Sequence, residues 1–282
     1  MNRLAPLKPS HTFDQLFPPQ TAYAPRTTLD HVGWVVTEPY RLDTLTAVTV
    51  LANGAMPMAC HQNAVTPDIV RFFERCGCTL ASQIETYETP QQAFAVAKRW
   101  ADEGWRLVYP YPLPDALCDP ASLLVPTALY NWLNDKSNLD QLVDAELLPP
   151  AVMLKPEAAS DLLTVFAGQP VFIKACVAGA SGSGVDVRHA PDDPARQRAA
   201  QWLAARTGDF SGVRVEQALE VAISWCLNLT ILDDRVEYLG AAIQLFASPG
   251  QQKGSLIDPR HVPPASAVDS VLRIAHLAQR MG

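Results

Sequence analysis

Short apolar runs and segments of helical period take turns along most of this chain. HVGWVV (31–36) reads as a strand, and TAVTVLA (46–52) as another. Two segments follow that share an opening of threonine then proline. In TPDIVRFFER (66–75), Thr66 is placed as N-cap and Pro67 at the first helical position, where a missing N–H loses no bond. Gly77 is placed to close that helix. TPQQAFAVAKRWADE (89–103) repeats the pattern, with Phe94, Ala97 and Ala101 on one face and Trp100 beside them. RLVYPYPLP (106–114) predicts a strand that runs into a proline-rich crossover. Strands alternating with helices in this way predict a mostly parallel α/β layer over residues 31–135.

The second half has a different rhythm. A helical region over 121–150 breaks near Asn134 and Asp135. Ser137 or Asn138 can cap its second piece, and Pro149-Pro150 ends it. The break predicts a division, with a second domain over 136–282. In it AVML (151–154) is a strand, and helices lie near 157–166 and 193–206. GVRVEQAL (212–219), SWCLNLTILDD (224–234) and RVEYLGAAIQLF (235–246) are longer strand candidates. Asp233-Asp234 suits a hairpin turn between the last two. A helix over 266–281 follows. This half reads as α+β with an antiparallel sheet. Residues 1–30, rich in proline and polar side chains, read as an arm draped on the surface or partly disordered.

Composition narrows function more than fold. The 282 residues suffice for one large domain or two ordinary ones. Lys and Arg number 22 against 29 Asp and Glu, a net charge of −7. A general nucleic-acid binder needs clustered cations for phosphate, so that class is disfavoured. No apolar run approaches the roughly 18–20 residues of a membrane helix, and the N-terminus has no apolar signal core. Of the six cysteines only Cys76 and Cys78 lie close, with no second pair at zinc-ribbon spacing. Reduced thiols in a cytoplasmic protein are the expectation. The histidines form no metal-spaced pair, and no Gly-x-Ser-x-Gly elbow appears.

The chemistry concentrates in VFIKACVAGASGSGVDV (171–187). Gly179 and Gly184 have P-loop spacing, but Val185 and Asp186 stand where Lys and Ser/Thr are required. Gly182 and Gly184 begin a dinucleotide fingerprint, but Val187 replaces its third glycine. A strand, a flexible Gly/Ser loop and a second strand instead make a flap. Its amides and the hydroxyls of Ser181 and Ser183 can close over phosphate oxygens, with Lys174 adding a fixed charge. The plain alternative is a hairpin loop whose lysine merely snorkels.

Together with Asn134-Asp135-Lys136 and the strand VRVEQAL, this stretch resembles the ATP-grasp superfamily. The resemblance implies α/β plus α+β architecture. A pre-ATP-grasp-like domain covers 31–135, and two antiparallel lobes, a flap lobe at about 150–212 and a second at 213–282, clasp ATP. It assigns Lys136 from the linker and Lys174 from the strand before the flap to the phosphates. Gly179, Ser181, Gly182, Ser183 and Gly184 form the flap. Glu216 starts a hinge, where Gln217, Ala218 and Leu219 meet adenine through backbone atoms. Gln244 faces the phosphates or the acceptor. The implied reaction is ligation: a carboxylate is phosphorylated by ATP with Mg²⁺, and an amine or thiol then attacks. The substrates are small molecules, with no nucleic acid or membrane partner, and a homodimer is compatible. A bicarbonate-activating enzyme and a non-catalytic nucleotide-binding scaffold are the alternatives.

Two departures stand out. Ile223 and Ser224 occupy the vicinity where an acidic residue often holds ribose, and Glu220 comes early. The family's Mg²⁺ ligands lie on strands after a helix like the one ending at 279–282, so the expectation is that those strands are missing and that this chain turns over weakly or not at all. Two other readings are weaker. Lys253 and Arg260 flank a loop able to cover an anion, with a solvated loop the favoured reading. Asn53, His61 and Asn63 lie near a strand end where α/β sheets bind ligands.

Overall fold

The computed structural model describes residues 11–24, 43–109, 118–176, 187–208, 210–258 and 260–281. The chain forms two compact units, Met1–Tyr130 and Asn131–Gly282.

In the first unit four short strands make a parallel sheet: β1 (Thr21–Tyr23), β2 (Met58–His61), β3 (Ile84–Tyr87) and β4 (Arg106–Val108). Their order is β3-β2-β1-β4. β1 therefore lies inside the sheet, with Tyr23 opposite Met58 and Thr21 opposite Arg106. Within 1–30, Thr21–Tyr23 therefore belongs to the sheet and not to a surface arm. A buried three-residue strand after Pro18-Pro19 is too short to show a period, and the prolines around it mimic a loop. TAVTVLA is also corrected. It folds as tight turns, with Ala47 N–H bonding Thr44 O and Val50 N–H bonding Ala47 O. Ala47 and Val50 enter a core cluster with Met56, Met58 and Cys60. Their spacing of three is that of a turn, and the β-branched run concealed it. HVGWVV lies outside the described residues.

Helices α1 (Phe13–Leu16), α2 (Pro67–Arg75) and α3 (Pro90–Asp102) complete this unit. The threonine caps form as expected. Thr66 Oγ accepts from Ile69 N–H at 3.4 Å, and Thr89 and Gln92 exchange a reciprocal pair of bonds. Gly77 takes φ +74°, the left-handed conformation that ends a helix. The buried stripe of α3 is Ala93, Ala97 and Trp100, with Phe94 only half-buried at its margin. Side chains on a helix lean toward its N-terminus, which shifts the covered face from the one centred on Phe94.

The second unit holds two antiparallel sheets. Helix α4 (Thr127–Asn134) leads through a 3-10 turn, Lys136–Asn138, to α5 (Leu139–Leu142). Strands β5 (Ala151–Leu154), β6 (Val171–Cys176), β7 (Val187–Ala190) and β8 (Gly212–Gln217) form a sheet in the order β5-β8-β6-β7. One face packs Val171, Ile173, Val213 and Val215 against Ala199 and Leu203 of α6 (Asp193–Ala204), and against Ala159 and Leu162 of a 3-10 segment, Pro156–Leu163. Each large side chain so buried contributes about 1.5–3 kcal/mol. Arg196 pins this layer. Wholly buried, it donates to the carbonyls of Leu162, Val165, Phe166 and Gln169. Those groups end the 3-10 segment, whose exit places Phe166 at φ +50°.

The other sheet has the order β11-β10-β9, from β9 (Trp225–Ile231), β10 (Val236–Ser248) and β11 (Gln251–Leu256). Leu232 N–H bonds Arg235 O across Asp233-Asp234, the expected hairpin turn. Helix α7 (Ala265–Gln279) packs on β9 and β10.

Candidate functional site

Alternation along β6 and β8 sorts their side chains. Val171, Ile173, Ala175, Val213 and Val215 enter the core, so Phe172, Lys174, Cys176, Arg214 and Glu216 line the opposite face. The register sets Lys174 against Arg214 and Phe172 against Glu216. On β7, His189 is opposite Phe172, and the two rings lie 5.0 Å apart. The Lys136–Asn138 turn packs against β6 and β8. Asp135 shapes that turn, its carboxylate accepting from Ser137 N–H at 2.9 Å.

These residues form one charge network. The Lys174 ammonium pairs with Oε2 of Glu216. Arg214 donates from Nε to Oε1 of the same carboxylate at 2.7 Å, and from Nη2 to Asp140 on α5 at 2.8 Å. Arg214 is 1% exposed and Glu216 5%, whereas Lys174 is 25% and Asp140 57% exposed. Arg214 Nη1 is buried and has no partner among the described residues. Burial alone would lower the Arg214 pKa, but bonds to Asp140 and Glu216 outweigh it and hold the guanidinium above its ordinary value. Cys176 ends β6 on this face. Burial, helped by Asp135, pushes its thiol up to about 11, while the charge of Lys136 pulls the other way.

The structure brings Lys174 and Glu216 into contact and sets the Lys136 turn beside them. The Glu216 side chain bridges two cations. In the hinge, Gln217 N–H is taken by Pro150 O and Ala218 N–H by Pro170 O, both at 2.9 Å. Leu219 is 54% exposed and makes no hydrogen bond among the described residues. Gly179, Ser181, Gly182, Ser183 and Gly184 lie outside the described residues. Gln244 stands apart on β10, where its oxygen accepts from Ser224 Oγ at 2.8 Å and its amide reaches Gln252.

Lys253 is exposed, and Arg260 forks onto Asp258, holding that carboxyl well below the usual range. In the first unit His61 donates from Nε2 to the carbonyl of Glu88, and its Nδ1 accepts from Asn63 N–H. Asn53 is fully buried, with neither amide atom partnered among the described residues.

Arg214 and Asp140 are absent from the candidates read in the sequence. A signal for Arg214 existed: in GVRVEQ a second charged residue stands two positions before Glu216, hence on the same strand face. Nothing local marks Asp140, whose role comes from where α5 packs.

A family model describing the N-terminal domain of L-aspartate–L-methionine ligase matches residues 12–131. No curated protein matches the chain. Among solved structures, N5-carboxyaminoimidazole synthetase from Staphylococcus aureus, complexed with ADP, is similar over 97% of this chain and 65% of its own, at 11% identity and a TM-score of 0.54. Phosphoribosylamine–glycine ligase from Thermotoga maritima is similar over 80% of this chain and 56% of its own, at 11% identity and a TM-score of 0.53. The chain spans less than two thirds of the length of both. The fold is that of ATP-grasp proteins.

Proposed function

We propose that, within this ATP-grasp fold, the chain binds ATP on the Lys174–Glu216 face and serves a ligase that joins a carboxylate to an amine. A carboxylate oxygen attacks the γ-phosphorus of ATP, and ADP leaves. The amine nitrogen then attacks the acyl carbon, inorganic phosphate leaves, and a proton passes to solvent. The observation that carries this reading is the Lys174–Glu216–Arg214 network on the face of the sheet that points away from the core.

In this reading Lys174 stabilises charge on the phosphates and Lys136 supplies a second cation from its turn. Such fixed donors act strongly in a water-poor site, each worth a factor of about 10²–10³ in rate. The half-buried Phe172 and His189 rings, tilted against each other, offer an aromatic wall to a heterocycle, and the Leu219 amide, without a partner among the described residues, gives adenine a donor. Gln244 and the flap residues Gly179, Ser181, Gly182, Ser183 and Gly184 keep the roles that the resemblance implies. Support for amino-acid substrates comes from the L-aspartate–L-methionine ligase model at residues 12–131. A thiol nucleophile has no separate support.

ATP chemistry of this kind uses Mg²⁺. Among the described residues no group of three or more His, Cys, Asp or Glu side chains is placed to hold a metal ion. Among the same residues no helix is long and apolar enough to cross a membrane.

The test is ADP release by the purified chain with Mg²⁺ and pairs of amino acids. Release that needs both an acid and an amine, and that is lost in Lys174→Ala, supports the proposal. A chain that binds no ATP, or whose ATP binding Lys174→Ala leaves unchanged, would overturn the proposal.

A further inference from the structure

Lys174 and Glu216 alone are a neutral pair. A polyanion gains little from an ammonium whose carboxylate partner cancels it at close range. Arg214 alters that balance. It is 1% exposed, so solvent hardly screens it, and it binds the same carboxylate. Its other partner, Asp140, is 57% exposed and well screened by water and salt. The buried part of the network therefore carries a surplus of positive charge.

The geometry adds to this. Arg214 holds Oε1 of Glu216, leaving Oε2 to Lys174, which fixes the carboxylate in one orientation. Asp140 holds the far end of the guanidinium. Nη1 remains as a buried donor with no partner among the described residues. A buried donor left unmatched costs stability, and a ligand oxygen would relieve it.

We propose that Arg214 is the positioning residue of this face: it fixes Glu216 and supplies the surplus charge that lets Lys174 meet the phosphates of a nucleotide. This rests on the ATP reading above. Arg214 acts through Glu216 and Lys174, so its loss weakens ligands according to how many phosphates they carry.

The test compares ATP with AMP, by calorimetric titration of the full chain at low and moderate salt. Arg214→Met is expected to weaken ATP about tenfold or more and AMP by less than about threefold, with a shallower salt dependence for ATP. Arg214→Lys restores the charge without the fork and recovers part of the ATP loss. Equal weakening of ATP and AMP would mean a purely structural role and would overturn the inference, as would unchanged ATP affinity. Should Arg214→Met not fold, Asp140→Asn carries the test. It keeps the acceptor oxygen, removes an exposed negative charge, and is expected to tighten ATP by about threefold; no change would count against the inference. A wild-type chain that binds neither nucleotide sinks the ATP reading and this inference together. A wild-type chain that binds ATP, with Arg214→Met unaltered, sinks this inference alone.

Discussion

Glu216→Gln is the most informative single change in the second unit. The substitution keeps the shape of the side chain and one acceptor oxygen but removes the charge between two cations. Arg214 cannot escape into water at 1% exposure, and Lys174 is three-quarters buried. Breaking a buried ion pair by removing one partner costs about 3–5 kcal/mol. Because glutamine still accepts one hydrogen bond, the loss should fall near about 3 kcal/mol. In a unit of this size each kcal/mol moves Tm by about 2–4 °C, so the shift is about 6–12 °C. Urea denaturation followed by tryptophan fluorescence measures it. The double variant Arg214→Met with Glu216→Leu removes both charges and should lie closer to wild type than Glu216→Gln does. A loss below about 1 kcal/mol in the single variant, or a double variant as unstable as the single one, would refute the account of Glu216 as the compensating charge of a buried guanidinium.

Three further outcomes follow from the same structure. Lys174→Ala should weaken ATP by about 2–5 kcal/mol in calorimetric titration, the usual cost of removing one member of a desolvated charge contact; unchanged affinity would remove Lys174 from the phosphate site. Arg196→Ala should destabilise by about 3 kcal/mol or more, since four carbonyls lose their donor at once, and hydrogen exchange should show the Pro156–Leu163 segment opening first. The Cys176 thiol, pushed from its ordinary value of 9.0 to about 11, should stay unalkylated by iodoacetamide at pH 8 while exposed Cys76 reacts. Its folded pKa is raised, so the stability it contributes is complete below pH 9 and is lost as pH climbs through about 11. Mass spectrometry of native protein and a pH series of denaturation curves check the two halves.

Legibility followed the physics of each element. Caps announce themselves because one side chain bonds its own neighbourhood, so Thr66 and Thr89 were readable from a few letters. β6 and β8 were readable because their core-facing residues are apolar and the residues between them are polar or aromatic, which imposes a period of two on VFIKAC and GVRVEQ even where both faces are buried. β1 defeats such reading, since all three of its residues are buried and no alternation remains. Lys174 and Glu216 were legible as candidates, yet their contact was not, because antiparallel pairing joins residues distant in sequence. Arg214 carried a signal, its place two positions before Glu216 on one strand face, but its role depends on partners that only packing brings to it. Asp140 had no local signal, because its value to the network comes from packing alone.

The placement of β1 has a consequence for how the first unit comes into being. The strand is made early, yet both of its neighbours are made later, and the farther one only when Arg106 has left the ribosome. Until then Thr21–Tyr23 has nothing on one side to bond, so the nascent unit waits with its midline exposed. Parallel sheets assembled from such distant pieces form slowly. Trimming the N-terminus past Tyr23 would take away the midline and not a fringe. β2 and β3 would keep each other, β4 would lose its partner strand, and the unit would come apart down its middle.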